Sequence, residues 1–302
     1  MIKRTLFFAN PAYLSTKQQQ LHIRFPEEDK EDKTVPIEDI GMLVLENQQI
    51  TLTNGLITKL IQNKTAIVNC DQQHLPVSLL QPLNGHSEQM ERIRYQLDAS
   101  IPLKKNLWQQ CIVQKIINQA HHLKKRKKDE RKLLYWSKYV KSGDAENHEG
   151  VAAAYYWQNL FEIPMFTRSP KGISPNHLLN YGYAILRAAT ARAAIGSGLL
   201  PNLGIFHRNK YNAYCLADDL MEAYRIFVDD LVFDIHQELD CPEEIELNTE
   251  IKMKLLQIPV LDVIIDKQKS PLMIALSRTT TSLFHCYEGS ARKLVLPEFL
   301  VS

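Results

Sequence analysis

At 302 residues, 45% of them hydrophobic, the chain can bury a sizeable core in one large or two modest domains. Its net charge is +2, and no apolar run approaches the ~18–20 residues that a membrane-spanning helix needs. The first apolar run breaks at Asn10-Pro11, too soon for a signal peptide. Five scattered cysteines without a Cys-x-x-Cys pair argue against a disulfide framework and a cysteine-ligated zinc site, and they favour a cytoplasmic protein.

The small net charge conceals an uneven distribution along the chain. Residues 91–141 contain 14 Lys or Arg and 4 Asp or Glu, whereas residues 142–302 contain 14 and 20. Such a split is expected if one region binds a polyanion and another binds cations. Solvation of the surface would also account for it.

The N-terminal part has the period-two pattern of β-strands. Leu21, Ile23 and Phe25 alternate with polar residues, and residues 27–33 form a charged tip between strands. After Asn54-Gly55 the apolar spacing lengthens to three and four, which predicts a short helix through Leu60 rather than a hairpin. We predict a small β-rich, β-sandwich-like domain over residues 1–85.

From His86 onward the apolar period is helical. The chain is therefore predicted to be an α+β protein in which a larger all-α domain, residues 86–302, follows the β-rich one. Residues 107–117 form an amphipathic helix that runs into a basic segment. This segment supplies the candidate DNA-binding residues Lys124, Lys125, Arg126, Lys127 and Lys128, because clustered cations bind phosphates with little sequence preference. A solvated basic run is the alternative.

Two helices come next in the chain. Residues 142–150 predict a turn and a helix start, followed by an Ala-rich helix that permits close backbone approach; Glu149 lies where that approach begins. Farther on, Ser174 is predicted as an N-cap with Pro175 at the first helical position, and the helix is expected to end near Gly196.

One face of this second helix is polar. It carries Asn176, Asn180, Tyr183, Arg187 and Thr190, and Arg168 lies in the loop before it. Asn and Arg in such a row could hold a phosphate or orient a metal-ligand carboxylate. A polar seam between packed helices is the alternative.

His207 precedes a helix whose early turns carry Asp218, Asp219 and Glu222. Asp219 and Glu222, three residues apart, can reach the same point in space. A solvated acidic face opposite an apolar stripe would produce the same pattern.

The order Glu149, His207, Glu222, with the run 176–187 between them, resembles the CRISPR-associated integrases, the nuclease-integrases of spacer acquisition. Residues 216–225 look like the type II branch of that family. The resemblance implies that Glu149, His207 and Glu222 are catalytic metal ligands, with Asp219 as neighbouring support and Asp218 as its possible substitute. One departure is Ala223, where the family leads us to expect proline; the helix should stay intact there.

Two carboxylates and one imidazole form a donor set suited to Mg²⁺ or Mn²⁺, and the imidazole favours Mn²⁺ slightly. The sequence contains no His-Glu-x-x-His, no Glu-x-x-His and no adjacent His-Asp pair, so zinc proteases, di-iron bundles and HD-type phosphohydrolases are disfavoured. With water as the attacking group, the ion would promote DNA cleavage. With a 3′-OH end as the attacking group, it would promote the exchange of one phosphodiester for another.

The resemblance implies the second reaction, in which short duplex DNA is inserted into the CRISPR repeat array at its leader end. It further implies a homodimer built with the β-rich domain, two of which bracket a dimer of a smaller adaptation protein in a heterohexamer, assisted by type II effector components. Two other hypotheses stay open: a general structure-selective DNA nuclease, and a non-catalytic DNA-binding scaffold.

Overall fold

The computed structural model describes residues 3–27, 30–240 and 244–300. Two residues of the predicted charged tip, Glu28 and Asp29, lie outside the described residues, as does Cys241. A strand-rich part is followed by a mostly helical part, which confirms the α+β class. None of the helices in these ranges is long and apolar enough to cross a membrane.

The strand-rich part forms two four-stranded sheets. Its strands are β1 (Arg4–Phe8), β2 (Tyr13–Lys17), β3 (Gln20–Arg24), β4 (Lys33–Pro36), β5 (Ile40–Leu45), β6 (Thr51–Leu52), β7 (Ala66–Cys70) and β8 (Pro76–Leu80). The first sheet has the order β1-β5-β7-β8, with β5 parallel to both neighbours and β8 antiparallel to β7. The second has the order β4-β3-β2-β6, an antiparallel meander with β6 added in parallel.

Strand β5 is the centre of the first sheet, and all six of its residues are buried. Leu43 and Leu45 belong to a core shared with the second sheet, whereas Met42 and Val44 belong to the core of the helical part. A strand covered on both faces reads as a continuous apolar run, which is why residues 41–45 show no alternation. The first sheet is therefore a middle layer between the second sheet and the helices.

Helix α1 (Asn54–Gln62) confirms the predicted helix after Asn54-Gly55. The Thr53 side chain caps it by accepting a hydrogen bond from the Leu56 amide. Leu56 and Leu60, four apart, are fully buried in the core between the two sheets. The two-sheet arrangement agrees with the β-sandwich-like expectation, with α1 added to its core.

The helical part follows the last strand of the first sheet, and the predicted boundary at residue 85 falls between β8 and α2. Its helices are α2 (Gln89–Asp98), α3 (Ile101–Lys125), α4 (Arg131–Ser137), α5 (His148–Leu160), α6 (Asn176–Gly196), α7 (Cys215–Met221), α8 (Arg225–Glu238), α9 (Thr249–Leu255) and α10 (Leu272–Glu288). Helix α3 contacts α4, α5 and α8, and α6 contacts α7, α8 and α10. These two long helices position the elements described below.

The expectation that this part is all-α is corrected by three short strands, β9 (Asp262–Ile265), β10 (Gln268–Pro271) and β11 (Pro297–Glu298). Strands β9 and β10 form a hairpin whose two turn residues, Asp266 and Lys267, both have positive φ values. Such turns usually carry Asn-Gly or Asp-Gly, so Asp-Lys gave no turn signal. The fold class is unaffected.

The start of α6 also differs from the prediction. Pro175 is the residue before the helix, no side chain caps the helix, and the Ser174 hydroxyl has no hydrogen-bond partner. The helix is instead tied to the preceding loop by Asn176, whose amide donates to the carbonyls of Thr167 and Ile173. Its end at Gly196 is as predicted, with Gly198 in the left-handed region.

Candidate active site

Glu149 lies in the first turn of α5, and the loop before that helix fixes its position. The Asn147 side chain caps the helix by accepting from the Gly150 amide. The buried Asp144 carboxylate accepts from the amides of His148 and Glu149, at 2.9 and 3.0 Å. The helix start is thus anchored twice, and the Glu149 side chain is directed towards α3.

Glu222 lies between α7 and α8, in a 3₁₀ turn over Glu222–Tyr224. The expectation of an intact α-helix at Ala223 is therefore corrected. The backbone stays right-handed, but it tightens from α to 3₁₀ geometry over these three residues. Residues 222–224 are all buried, and the turn forms without a proline. A 3₁₀ segment within a helix often marks a functional position.

Lys115 of α3 joins the two glutamates. Its Nζ atom lies 2.7 Å from Glu149 Oε1 and 2.6 Å from Glu222 Oε2. Glu222 Oε1 accepts from Arg225 Nε at 2.9 Å. Burial alone would raise the pKa of Glu222, but the charges of Arg225 and Lys115 hold it at about 2. Burial would likewise lower the pKa of Lys115, and the two glutamates raise it instead.

His207 is held by Asp219, whose side chain is fully buried. The Asp219 carboxylate accepts from the amides of Phe206 at 2.8 Å and His207 at 3.3 Å, and it bonds the His207 ring through Nδ1. This hydrogen bond raises the pKa of His207. The His207 ring also packs edge-on against Trp108, with ring centroids 5.4 Å apart.

The turn that presents His207 requires glycine at position 204. A Cβ atom there would lie 2.4 Å from the His207 carbonyl oxygen and 2.8 Å from Asp219 Oδ2. Both contacts are shorter than van der Waals packing allows, so any larger residue would push the turn away from the Asp219 carboxylate. Gly204 and Asp219 together set the direction of the imidazole.

The structure thus brings Glu149 and Glu222 together around Lys115. His207 is close enough that both glutamates contribute to raising its pKa. In the described ranges, however, no three or more His, Cys, Asp or Glu side chains are arranged to hold one metal ion. The three-ligand set of Glu149, His207 and Glu222 therefore stays a prediction.

Asp218 and Asp219 have different partners. Asp218 forms a two-pronged ion pair with Arg187 of α6, at 2.6 and 3.0 Å, and accepts from the Asn212 amide at 2.7 Å. Asp219 contacts the His207 turn instead. The two carboxylates thus point to different sides of α7, with Asp219 on the side of His207.

A cavity of about 450 Å³ opens beside Glu222. Arg168 lies in its wall and donates to the Asn176 and Asn180 side-chain oxygens, at 3.0 and 2.7 Å. The charged and aromatic residues of the lining are Lys115, Trp157, Phe166, Arg168, Tyr183, Glu222, Arg225 and Asp229. Three cationic side chains, Lys115, Arg168 and Arg225, therefore meet at one cavity, to which the polar face of α6 contributes Tyr183.

Asp229, at the floor of this cavity, belongs to a buried hydrogen-bond network. Its two carboxylate oxygens accept from the hydroxyls of Tyr183 and Tyr156, and His122 Nδ1 lies 2.7 Å from the Tyr156 hydroxyl. Burial raises the pKa of Asp229 to about 7, although both tyrosines lower it. The carboxyl group is thus poised to titrate near neutrality.

We predict that Asp229 makes the folded state less stable as pH rises. The unfolded state ionises near 3.8 and the folded state near 7, so stability is lost across that window and is constant above it. Between pH 5 and 8 the free energy of unfolding of the wild type should fall by roughly 2–3 kcal/mol relative to that of Asp229→Asn. Urea denaturation of both proteins at several pH values measures this, and parallel profiles would contradict it.

Three of the five side chains of the basic segment form ion pairs within the chain. Lys125 Nζ lies 2.8 Å from Asp230, Arg126 Nη1 lies 2.7 Å from Asp234, and Lys128 Nζ lies 2.6 Å from Glu162. Lys124 and Lys127 are exposed and form no ion pair with any described residue. DNA binding by this segment stays a prediction, and these two lysines are its most accessible members.

Sequence analysis assigned no role to Lys115 or Asp229. Lys115 follows Leu107 and Cys111 at spacings of four, so it lies on the buried stripe of α3. A lysine on an apolar stripe is unusual, and this was the available signal for a functional role. The role itself depends on two carboxylates from distant segments, Glu149 and Glu222.

Comparison with known proteins gives three further findings. The family model for CRISPR associated protein Cas1 matches residues 6–244. The CRISPR-associated endonuclease Cas1 of Neisseria meningitidis serogroup C (strain 8013) is 35% identical over 303 residues, covering 99% of this chain and 97% of that protein.

Two solved structures share the fold. A casposase bound to integration product superposes with a TM-score of 0.78 at 20% identity, covering 99% of this chain and 93% of that one. A Cas6-RT-Cas1–Cas2 complex superposes with a TM-score of 0.72 at 19% identity, covering 99% of this chain and 36% of the other. At these identities the likeness concerns the fold alone.

Proposed function

The chain belongs to the Cas1 family of CRISPR-associated proteins, and from that premise we propose that it is a metal-dependent DNA integrase. In this proposal it joins the 3′-OH ends of short DNA duplexes into a repeat-containing target by transesterification. The convergence of Glu149 and Glu222 on one point supports the proposal most directly, because their helices are distant in the chain. Carboxylates brought together from distant segments form an anionic site that binds cations, and in this structure Lys115 and Arg225 are the cations there.

The two glutamates fit Mg²⁺ or Mn²⁺, which take oxygen ligands. Glu222 Oε2 is buried and faces Lys115 Nζ at 2.6 Å, so this oxygen already has a cation as its partner. A bound ion would supply Lewis-acid stabilisation of the charge that develops on the phosphodiester. We propose Glu149 and Glu222 as its ligands, with His207 as the third.

Asp219 has a supporting role in this proposal. Its carboxylate binds the His207 ring at Nδ1, which leaves Nε2 to face the reacting groups. Metal-binding histidines generally make such a hydrogen bond through their other ring nitrogen, and it fixes both tautomer and orientation. The proposal therefore assigns Asp219, rather than Asp218, to the support of the site.

The cavity beside Glu222 is proposed to receive the DNA end. Arg168 and Arg225 line it, and both stack on the Tyr183 ring, at 5.1 and 4.4 Å from its centroid. Guanidinium groups held in place in this way bind phosphate oxygens at small entropic cost. Asn180 supports the wall through Arg168, and Arg187 supports helix α7 through its ion pair with Asp218.

The attacking group decides the outcome of the reaction. A 3′-OH exchanges one phosphodiester for another, so no nucleotide hydrolysis is needed to drive the joining. Water at the same position gives cleavage, and the Neisseria relative is named an endonuclease. A general structure-selective nuclease is therefore the second candidate function, and it would use the same residues.

We propose that the protein works in the cytoplasm as a homodimer, with the strand-rich part at the interface. Two such dimers would bracket a dimer of a smaller adaptation protein, and type II effector components would assist the choice of target. The Cas6-RT-Cas1–Cas2 neighbour supports a partner protein, because Cas2 belongs to that complex. Lys124 and Lys127 are proposed to contact the DNA backbone.

A strand-transfer assay tests the proposal. Purified protein is incubated with a short duplex bearing free 3′-OH ends and a supercoiled plasmid carrying a leader and repeat, with Mn²⁺ or with a chelator. The partner protein is added in a parallel series. Covalent joining that needs the metal and is lost in His207→Ala is the expected result.

Two other results would each contradict the integrase proposal. Nicking or degradation without joining, even with the partner present, would favour the nuclease. DNA binding without any metal-dependent chemistry would favour a non-catalytic scaffold. A plasmid without the repeat is the matched control, because an integrase of the array should join to it poorly.

A further inference from the structure

Lys115 occupies the point at which the two glutamates meet. Its Nζ atom contacts one oxygen of each, at 2.7 and 2.6 Å, and its side chain is 11% exposed. The three residues come from three separate elements, α3, α5 and the 3₁₀ turn before α8. A lysine ammonium is therefore the group around which these elements are assembled.

The charges of this cluster balance without any added ion. Glu149 and Glu222 contribute two negative charges, and Lys115 and Arg225 contribute two positive ones. Arg225 holds the other oxygen of Glu222 and belongs to the wall of the cavity. The Lys115 ammonium is thus a direct partner of Glu222 Oε2, at 2.6 Å, while Arg225 occupies Oε1.

A divalent ion and the Lys115 ammonium cannot share this point. An ion held by the Glu149 and Glu222 carboxylates would compete with Nζ for the oxygens that the ammonium now contacts. Two cations in contact with the same oxygens repel each other strongly at the low dielectric of a buried site. Either the ammonium or the metal occupies the position.

We propose that Lys115 is a placeholder cation, displaced from the two glutamates when the divalent ion binds. The inference rests on the proposed function, because it takes Glu149 and Glu222 as the metal ligands. On displacement the ammonium turns into the adjoining cavity, whose wall it already forms together with Arg168 and Arg225. Its flexible four-carbon stem permits this movement, and it brings a third cation towards the phosphates of a bound DNA end.

The device would keep the empty site folded. Without Lys115, the buried Glu222 and the 25% exposed Glu149 would face each other with Arg225 as the remaining cation, and an uncompensated charge at a buried site destabilises a protein strongly. A lysine is suited to the role because its single ammonium can reach both carboxylates, as the distances show. If Lys115 were only a structural ion-pair partner, its removal would weaken metal binding rather than strengthen it. The direction of the change in metal affinity therefore separates the two roles.

The test is Mn²⁺ binding without DNA, measured by electron paramagnetic resonance of the free ion. Lys115→Met removes the competing charge and should raise Mn²⁺ affinity by about tenfold or more. Lys115→Arg keeps the charge and should bind no more tightly than the wild type. Lys141→Met, which removes the exposed ion pair with Glu146 a few residues before Glu149, is the matched control and should not change the affinity.

Affinity of Lys115→Met equal to or below that of the wild type would overturn the inference and leave the proposed function intact. Mn²⁺ binding that is unaffected by Glu149→Gln would overturn the proposed ligands, and the inference with them. Because Lys115→Met could fold poorly, the wild type is also followed directly. The ¹⁵N resonance of the Lys115 ammonium should shift during a Mg²⁺ titration, and an unchanged resonance at saturating Mg²⁺ would overturn the displacement.

Discussion

Glu149→Gln is expected to reduce the rate of metal-dependent DNA joining by about a thousandfold or more, because it removes one of two anionic ligands that stabilise charge in the transition state. The amide keeps the size of the side chain and can still accept a hydrogen bond from Lys115. The fold should therefore survive, since the start of α5 is anchored by Asn147 and Asp144 rather than by Glu149. The measurement is the single-turnover joining rate at saturating Mn²⁺.

Glu146→Gln is the matched control for this prediction. Glu146 lies three residues earlier, is exposed, pairs with the exposed Lys141 and lies 4.0 Å from the His148 ring. Exposed pairs of this kind contribute at most about 1 kcal/mol, so its joining rate should stay within about twofold of the wild type. Equal losses in the two variants would mean that general charge, rather than a position at the site, accounts for the effect. Full activity of Glu149→Gln would refute its role as a ligand.

Local pattern was sufficient for much of the fold. The period-two alternation around Leu21 and Ile23 predicted the strand-rich part, and the apolar spacing after Asn54-Gly55 predicted α1. Glycine ended α6 where expected. Such features depend on residues within a few positions of one another, which a sequence displays directly.

The β9–β10 hairpin was missed for a local reason as well. Val263 and Ile265 alternate with less buried neighbours, but the strand is only four residues long. Its turn places Asp266 and Lys267 at positive φ, where glycine or asparagine is the usual signal. A short strand followed by an atypical turn is outweighed by the helical pattern around it.

The site depends on contacts that no local pattern displays. Lys115 could be placed on the buried stripe of α3, but a lysine there normally extends its stem along apolar surface and keeps its charge in water. Its actual partners lie on α5 and in the turn before α8. The basic segment shows the same limit, because Asp230 and Glu162, which pair with Lys125 and Lys128, are distant in the chain.

Asp219→Asn is expected to reduce the joining rate by about a hundredfold and to destabilise the fold by about 2–4 kcal/mol, since a fully buried carboxylate would lose part of its accepting capacity. The amides of Phe206 and His207 and the His207 ring all donate to it. An asparagine side chain offers one acceptor and two further donors, so at least one of these groups would face another donor.

Asp218→Asn is the matched control for Asp219→Asn, because it makes the same chemical change one residue away. Asp218 pairs with Arg187, whose side chain is 46% exposed, so losing that pair should lower stability by only about 1 kcal/mol. Its joining rate should fall less than about tenfold, because the partners of Asp218 are Arg187 and Asn212 rather than His207. Denaturation midpoints and joining rates for both variants decide the matter. A larger loss of joining rate in Asp218→Asn than in Asp219→Asn would contradict the supporting role of Asp219. Asp218 and its partner Arg187 on α6 would then be the residues that support the site.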